Sequence, residues 1–467
     1  MWHDELNSWD VARDAHSLSG LFANMHFESH PALWYLCLYA VTRFTADPIA
    51  MQALHLLIAI GTVALIATAS PFTRAERWLL AFGYFFVFEF AVISRAYALG
   101  VVLALAICAV YVRPRPSVLA LTVLLALLAN TSLYGVFMTI ALVAGIVVDG
   151  RLLRDRAAWA GAVVLAVAVG IAMVTLYPAP DNAFAREWHR FDPVRVEGVL
   201  DLASAAYVPL PDYWVAAPWN SNLLMDEALT VTALPRGFLA AALGIVLLVA
   251  IGVMLRRDRC ALTMHVVGSG FMLVFIYLKY SGGMRHHGHL FILFVAALWI
   301  ARRGVQPSRS SPFFVAVLVC QALAGGFFVV QDLRGPFSYS KELTEYVKSL
   351  PRGTPVVVAQ TQFLNFVGPV LSGYLHKPVT YVLAHRAVRG SFMFPDFERR
   401  QGATEDQILS QLRAYAADRQ SDVYVVTNNW QPAALGQRLA HFDRHLEGDE
   451  RTADVYLYRW RGVSGDR

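Results

Sequence analysis

The sequence predicts a polytopic α-helical membrane protein with a small C-terminal α/β domain, and three observations support this. Of its 467 residues, 57% are hydrophobic and only 16% charged, with a mean hydropathy of +0.47, whereas soluble domains carry about 25% charged residues. Ten apolar runs long enough, or nearly so, to cross a bilayer follow one another between residues 48 and 331. Beyond residue 336 the pattern changes to alternating helix and strand signals of soluble character.

The first 47 residues come before any apolar run and hold the paired carboxylates Asp4 and Glu5 beside Trp2 and His3. Within them HPALWYLCLYAVTRF (30–44) starts at a proline, carries Arg43 and is short for a span. It is expected to lie along the membrane face as an interfacial helix. The apolar runs are 48–69, 77–94, 96–112, 116–131, 133–149, 157–177, 237–255, 261–279, 288–301 and 312–331. Basic loops at 73–77, 113–116, 149–156, 256–259 and 301–309 alternate strictly with the other connections. The positive-inside rule puts those five loops in the cytoplasm and the rest, residues 1–47 included, outside. On that topology a first membrane helix is expected upstream of Met1. The net charge of +5 is accounted for by these loops and does not point to a nucleic-acid partner.

The 178–236 loop is long and rich in Trp, Tyr, Pro and Asp, which predicts a folded lid against the membrane. Residues 48–335, lid included, form the expected transmembrane domain. In 336–467, helices are expected at KELTEYVKSL, TQFLNFVGPVLSGYL and TEDQILSQLRAYAADR, and strands at PVVVA, PVTYVL, DVYVVT and DVYLYRW. No glycine-rich phosphate loop is present in this domain. Cys37, Cys108, Cys260 and Cys320 are scattered in apolar context without metal-ligand spacing and read as buried small residues.

The residues that can carry chemistry gather in the outer connections. Asp4 and Glu5 fit a general base or metal ligand at a membrane surface, or an acidic capping turn. Arg95 in SRAY fits a fork for phosphate oxygens or a snorkelling anchor. KYSGGMRHHGH puts Lys279, Arg285, His286 and His289 around a Gly-Gly turn at a helix start, suited to an anion, to a metal at His286 and His289, or to interfacial anchoring. Glu89 is an ionisable residue inside an apolar run.

Together these residues resemble the GT-C superfamily of polyprenyl-phosphate-sugar glycosyltransferases, in particular the protein O-mannosyltransferases and lipid A aminoarabinose transferases. Asp4-Glu5 looks like the Asp-Glu that opens the family's first outer loop. His30-Pro31-Ala32-Leu33-Trp34-Tyr35 resembles its His-Pro-Pro motif, with Ala for the second proline, and Arg95-Ala96-Tyr97-Ala98-Leu99 its Arg-x-Tyr-x-Leu. The first helix is absent, and the RHHGH cluster matches no particular subfamily. The resemblance implies an inverting hexosyl- or pentosyltransferase of the bacterial inner membrane, acting on its outer face with a polyprenyl-phosphate-sugar donor. It implies Asp4 as base, Glu5 as its support, and Arg95, Tyr97 and Arg285, with Lys279 or His286, on the donor phosphate. His30 would orient the base or, like His289, help hold a divalent metal, the one cofactor the family admits. The rival readings are a transporter, which predicts inverted repeats and midplane ionisable groups, and a non-catalytic envelope assembly protein.

Overall fold

The computed structural model describes residues 1–177, 188–212, 218–223, 236–304, 310–359, 367–383, 386–391, 404–419, 421–428, 430–442 and 454–461. The chain opens with three short helices, α1 (His3–Arg13), α2 (Leu18–Asn24) and α3 (Leu33–Thr42). Of these, α3 falls within the segment 30–44 expected to be helical.

The transmembrane domain follows. It comprises α4 (Ile49–Ala69), α5 (Arg74–Ala81), α6 (Ala96–Tyr111), α7 (Val118–Ala129), α8 (Leu133–Asp149), α9 (Arg156–Leu176), α10 (Pro193–Tyr207), α11 (Arg236–Leu255), α12 (Arg259–Leu278), α13 (Met284–Ala301) and α14 (Pro312–Arg334). Among the described residues, six of these are long and apolar enough to cross a bilayer: α4, α9, α11, α12, α13 and α14. Of the ten expected runs, the described residues thus give six full-length helices, the shorter apolar helices α6, α7 and α8, and one broken run. The break falls in 77–94, where α5 stops at Ala81 and a π-helical turn runs over Phe85–Glu89. Gly325 on α14 packs directly against this break: a Cβ there would meet the Phe82 carbonyl at 2.3 Å. Central α13 is buried almost all round, whereas α9 leaves Trp159, Val163, Val167 and Val174 exposed, a face suited to lipid.

The expected lid contains α10, and this helix does not lie flat. It starts where the Asp192 N–H donates to the Tyr277 hydroxyl at 2.6 Å, that hydroxyl donates back to the Asp192 carbonyl at 3.4 Å, and Arg195 donates to the Tyr277 carbonyl at 2.9 Å. Fifteen residues later, about 22 Å along, it ends at Tyr207, whose ring lies 6.2 Å from Phe294 in the middle of α13. A helix ending at that depth has orphan carbonyls with no water to satisfy them. Gln321 on α14 donates from Nε2 to Ala206 O and Tyr207 O, at 3.0 and 3.1 Å. Gln321→Leu is therefore expected to lower the thermal stability of the purified chain by about 1–3 kcal/mol. An unchanged unfolding temperature would show that the α10 terminus finds another partner.

Basic loops converge at the end of the bundle remote from α1. Arg302 forks onto Glu76 at 2.7 and 3.0 Å, and Arg303 joins Asp149 at 2.9 Å and Asp258 at 3.5 Å. These bonds tie the 73–77, 149–156 and 256–259 loops to the end of α13.

The C-terminal domain contains α15 (Ser340–Ser349), β1 (Val356–Ala359), α16 (Val367–Leu375), β2 (Val379–Val382), β3 (Ala387–Gly390), α17 (Glu405–Arg419), β4 (Val423–Asn428), β5 (Gln437–Phe442) and β6 (Val455–Trp460). Its six-stranded sheet has the order β3-β2-β1-β4-β6-β5, with β2, β1 and β4 parallel and the edges antiparallel. Alternation along β1 and β4 sends Val358 and Val426 to the core under α15 and α16, and Val357 and Val425 to the core under α17. The described helices and central strands match the expected ones, apart from residues 361–366, which lie outside the described residues. Sequence reading did not anticipate β3 or β5.

Helix α1 joins all three parts. Trp2 enters the transmembrane core, Leu6 the core under α15 and α16, and Trp9, Val11 and Ala12 the core of the N-terminal helices. Its remaining face is polar and carries Asp4.

Candidate active site

Asp4 sits in the first turn of α1, where the helix N-terminus favours a carboxylate. One oxygen is 3.3 Å from His3 Nε2 and the other 3.3 Å from Arg285 Nη2. Burial works to raise this carboxyl, but Arg95, His3 and Arg285 outweigh it and hold Asp4 well below the usual carboxylate range. Asp4 is therefore an ionised acceptor, with 22% of its side chain exposed.

Arg285, at the start of α13, lies between two indoles, its guanidinium 5.0 Å from the Trp2 ring and 5.6 Å from Trp219. Its Nε is buried and has no hydrogen-bond partner among the described residues. A guanidinium carries five N–H donors, so Arg285 has donor capacity beyond its contact with Asp4. Arg95, the residue preceding α6, donates through Nη1 to the Asp4 carbonyl at 2.7 Å and to Ser8 Oγ at 2.8 Å. It anchors the α1 backbone as well as supplying charge.

Neighbouring Glu5 points the other way. Its two oxygens accept from the Trp2 amide at 2.8 Å and the Ser94 amide at 2.7 Å, and the residue is 2% exposed. The expected support for the base is thus a clasp between α1 and the approach to α6, with both oxygens spent on backbone N–H groups. Lys279, expected on the donor phosphate, has its ammonium 5.4 Å over the Trp188 ring.

Tyr97 and His286 do come together, the Tyr97 hydroxyl 2.9 Å from His286 Nε2. The other ring nitrogen of His286 accepts the Gly283 amide at 2.9 Å. With both nitrogens engaged, His286 is no direct phosphate ligand, contrary to expectation. His289 packs its ring 4.9 Å from Tyr134 and 5.5 Å from Tyr97, with Nδ1 3.2 Å from the His286 carbonyl. His30 contacts the Glu28 carbonyl, and burial, reinforced by Arg95, pushes it down to about 4, so it is neutral at pH 7. Among the described residues, no three His, Cys, Asp or Glu side chains gather closely enough to hold a metal ion.

Several neighbours escaped sequence reading. Glu28 accepts from the Tyr35 hydroxyl at 2.7 Å and Asn7 Nδ2 at 2.9 Å, while burial pushes its carboxyl up against those two bonds. Trp219 donates from Nε1 to Glu89 at 2.9 Å, and Tyr84 donates to the same oxygen at 2.5 Å. Asn220, at a φ of 63°, accepts the Met284 amide at 2.8 Å and so caps α13 beside Arg285. Only Ser8 had a readable signal, one helical turn from Asp4.

No family model matches this chain, and no curated protein matches it. Among solved structures, the chain is similar to the crystal structure of ArnT from Cupriavidus metallidurans in the apo state, with a TM-score of 0.42 and 13% sequence identity over 99% of this chain and 94% of that one.

Proposed function

We propose that the protein is a multi-pass membrane glycosyltransferase of GT-C type, moving a sugar from a polyprenyl-phosphate donor to an acceptor hydroxyl with inversion. The observation that carries this reading is Asp4, held ionised 3.3 Å from an Arg285 whose buried Nε has no partner among the described residues. Gathering of the basic loops at the remote end supports placing this site on the extracytoplasmic face of a bacterial inner membrane.

The chemistry follows from the charges. A phosphate is an acidic leaving group, so departure from the sugar needs positive charge rather than a proton. Arg285 supplies N–H donors to the phosphate, Tyr97 a hydroxyl, and Arg95 a fixed positive charge behind them. Asp4 accepts a hydrogen bond from the acceptor hydroxyl and takes its proton as the new oxygen–carbon bond forms. The bond from the anomeric carbon to the phosphate oxygen breaks on the opposite side, and its electron pair leaves with the polyprenyl phosphate. Trp2 and Trp219 screen the guanidinium from water and strengthen its hold on the anion.

Arg285→Met keeps a stem of similar length between the two indoles and removes the donors. With polyprenyl-phosphate sugar as substrate in nanodiscs, it is expected to raise donor KM roughly ten- to a hundredfold. A donor KM equal to wild type would overturn the assignment.

A further inference from the structure

We infer that His286 is a positioning residue that turns the Tyr97 hydroxyl into a one-way hydrogen-bond donor aimed at an incoming phosphate. The inference rests on the proposed phosphate-bearing donor and adds to it the proton arrangement that receives the anion.

It begins with a backbone amide. Gly283 N–H can only donate, and it donates to His286 Nδ1 at 2.9 Å. That nitrogen therefore carries no proton, so in the neutral ring the proton is on Nε2. His286 Nε2 lies 2.9 Å from the Tyr97 oxygen, and the direction of this bond is now fixed: the imidazole donates and the phenol accepts. The phenol's own proton remains for a different acceptor.

The surroundings keep this arrangement in place. His286 is 5% exposed and its ring meets Tyr97 edge-on at 5.3 Å, with Tyr280 edge-on from another side at 5.4 Å. The Gly-Gly turn lets the ring fold back over its own helix start. Gly282 has a φ of +71°, and a Cβ there would stand 2.7 Å from His286 Nδ1. A Cβ on Gly283 would stand 2.7 Å from Asn220 Oδ1, the group that caps Met284. Both glycines are thus required by the approach of His286 and Asn220. Tyr97 lies within electrostatic range of both Arg95 and Arg285, so the oriented hydroxyl belongs to the same constellation as the two guanidinium groups. A phosphate oxygen entering beside Tyr97 meets the hydroxyl proton that this arrangement leaves free.

Two measurements on the full chain in nanodiscs test this. Nitrogen NMR of histidine-labelled protein, with His286→Asn identifying the signal, is expected to show His286 as the Nε2–H tautomer. The Nδ1–H tautomer would overturn the inference whatever the ligand. The second measurement is binding of a polyprenyl monophosphate. Tyr97→Phe is expected to weaken it roughly three- to tenfold. His286→Asn keeps an acceptor for Gly283 N–H but has no donor at the ε position, and should weaken binding equally. The double variant should be no weaker than Tyr97→Phe alone, and His286→Gln, which returns an N–H to that region, should bind within about twofold of wild type. Wild-type affinity in His286→Asn would refute the positioning role alone, whereas failure of the wild-type chain to bind the probe would refute the phosphate reading and this inference with it.

Discussion

Asp4→Asn is expected to reduce turnover roughly 10²–10⁴-fold while leaving the binding of polyprenyl phosphate intact or tighter. Asparagine matches aspartate in shape and still accepts a hydrogen bond, so α1 and its neighbours should keep their places. It cannot take a proton, and that is the function the acceptor hydroxyl needs. Because Arg285 Nη2 is engaged by Asp4 at 3.3 Å in the free site, loss of the carboxylate also frees this donor for phosphate. A fall in kcat with no rise in donor Kd is therefore the signature, opposite to that of Arg285→Met. Full transfer activity in Asp4→Asn would eliminate Asp4 as the base.

The charge balance around Asp4 also predicts a pH effect. In the free protein Arg95, His3 and Arg285 hold the carboxyl well below its usual range, which by itself makes a weak base. A bound donor changes this. Its phosphate draws on the Arg285 donors and adds negative charge nearby, and both effects raise the Asp4 pKa. The acid limb of kcat/KM reports the free site and should lie below the normal carboxylate range. The acid limb of kcat reports the complex and should lie at higher pH. Measured from neutral pH downward, kcat should fall first; two limbs at the same pH would show that the donor does not tune the base.

Much of the fold was legible because the bilayer restricts the choices. Backbone polar groups in hydrocarbon must be satisfied within a helix, so apolar runs such as 49–69 or 312–331 announce themselves. In the C-terminal domain, short runs rich in β-branched and aromatic residues marked β1, β2, β4 and β6. The failures have physical causes too. FGYFFVFEF is as apolar as a continuous span, yet it breaks, and the π turn there sets Glu89 against Trp219, 130 positions along the chain. Hydropathy carries no trace of α10 ending at mid-depth, since that end is stabilised by Gln321, 114 positions from Tyr207. β3 and β5 are sheet edges with mostly exposed or half-buried residues, so their alternation is weak.

The site was legible in its residue types and less so in their roles. Asp4 and Glu5 are adjacent in sequence but about 100° apart around α1. That rotation puts one carboxylate on Arg285 and buries the other against two amides. No spacing rule could choose between them, because the choice depends on Ser94 and Arg285 arriving from elsewhere. His286 stands at the start of α13 with the cluster that the sequence singled out, and the role proposed for it rests on hydrogen bonds to Gly283 and Tyr97 that no sequence pattern carries.

Arg13→Ala is expected to destabilise the chain by about 3–5 kcal/mol at neutral pH, and to do so by detaching the helix that carries Asp4 from the C-terminal domain. Arg13 donates to the Ser372 carbonyl and hydroxyl on α16, both at 3.0 Å, and pairs with Asp10 at 2.9 Å. Asp10 is fully buried, and burial raises its carboxyl well above the usual range while Arg13 pulls it back. Without Arg13 the folded state must either hold an unpaired buried carboxylate or take up a proton. The sign is therefore set: a raised folded-state pKa gives stability that is present below the unfolded carboxylate range and is lost as pH rises. The penalty for Arg13→Ala should accordingly shrink in acid and grow toward neutral pH. Leu6 sits in the same seam, so close to α16 that a Cβ on Gly373 would stand 2.7 Å from its Cδ2. Loss of the Arg13 bonds should thus open a whole interface rather than one contact. Hydrogen exchange should show this as lost protection in α1 and α16 while α13 stays protected. Transfer activity should fall with it, since Asp4 is then no longer held against Arg285. Unchanged protection in α1 would mean that the transmembrane core alone, through Trp2, is enough to hold the helix, and the C-terminal domain would lose its role as the buttress of the site.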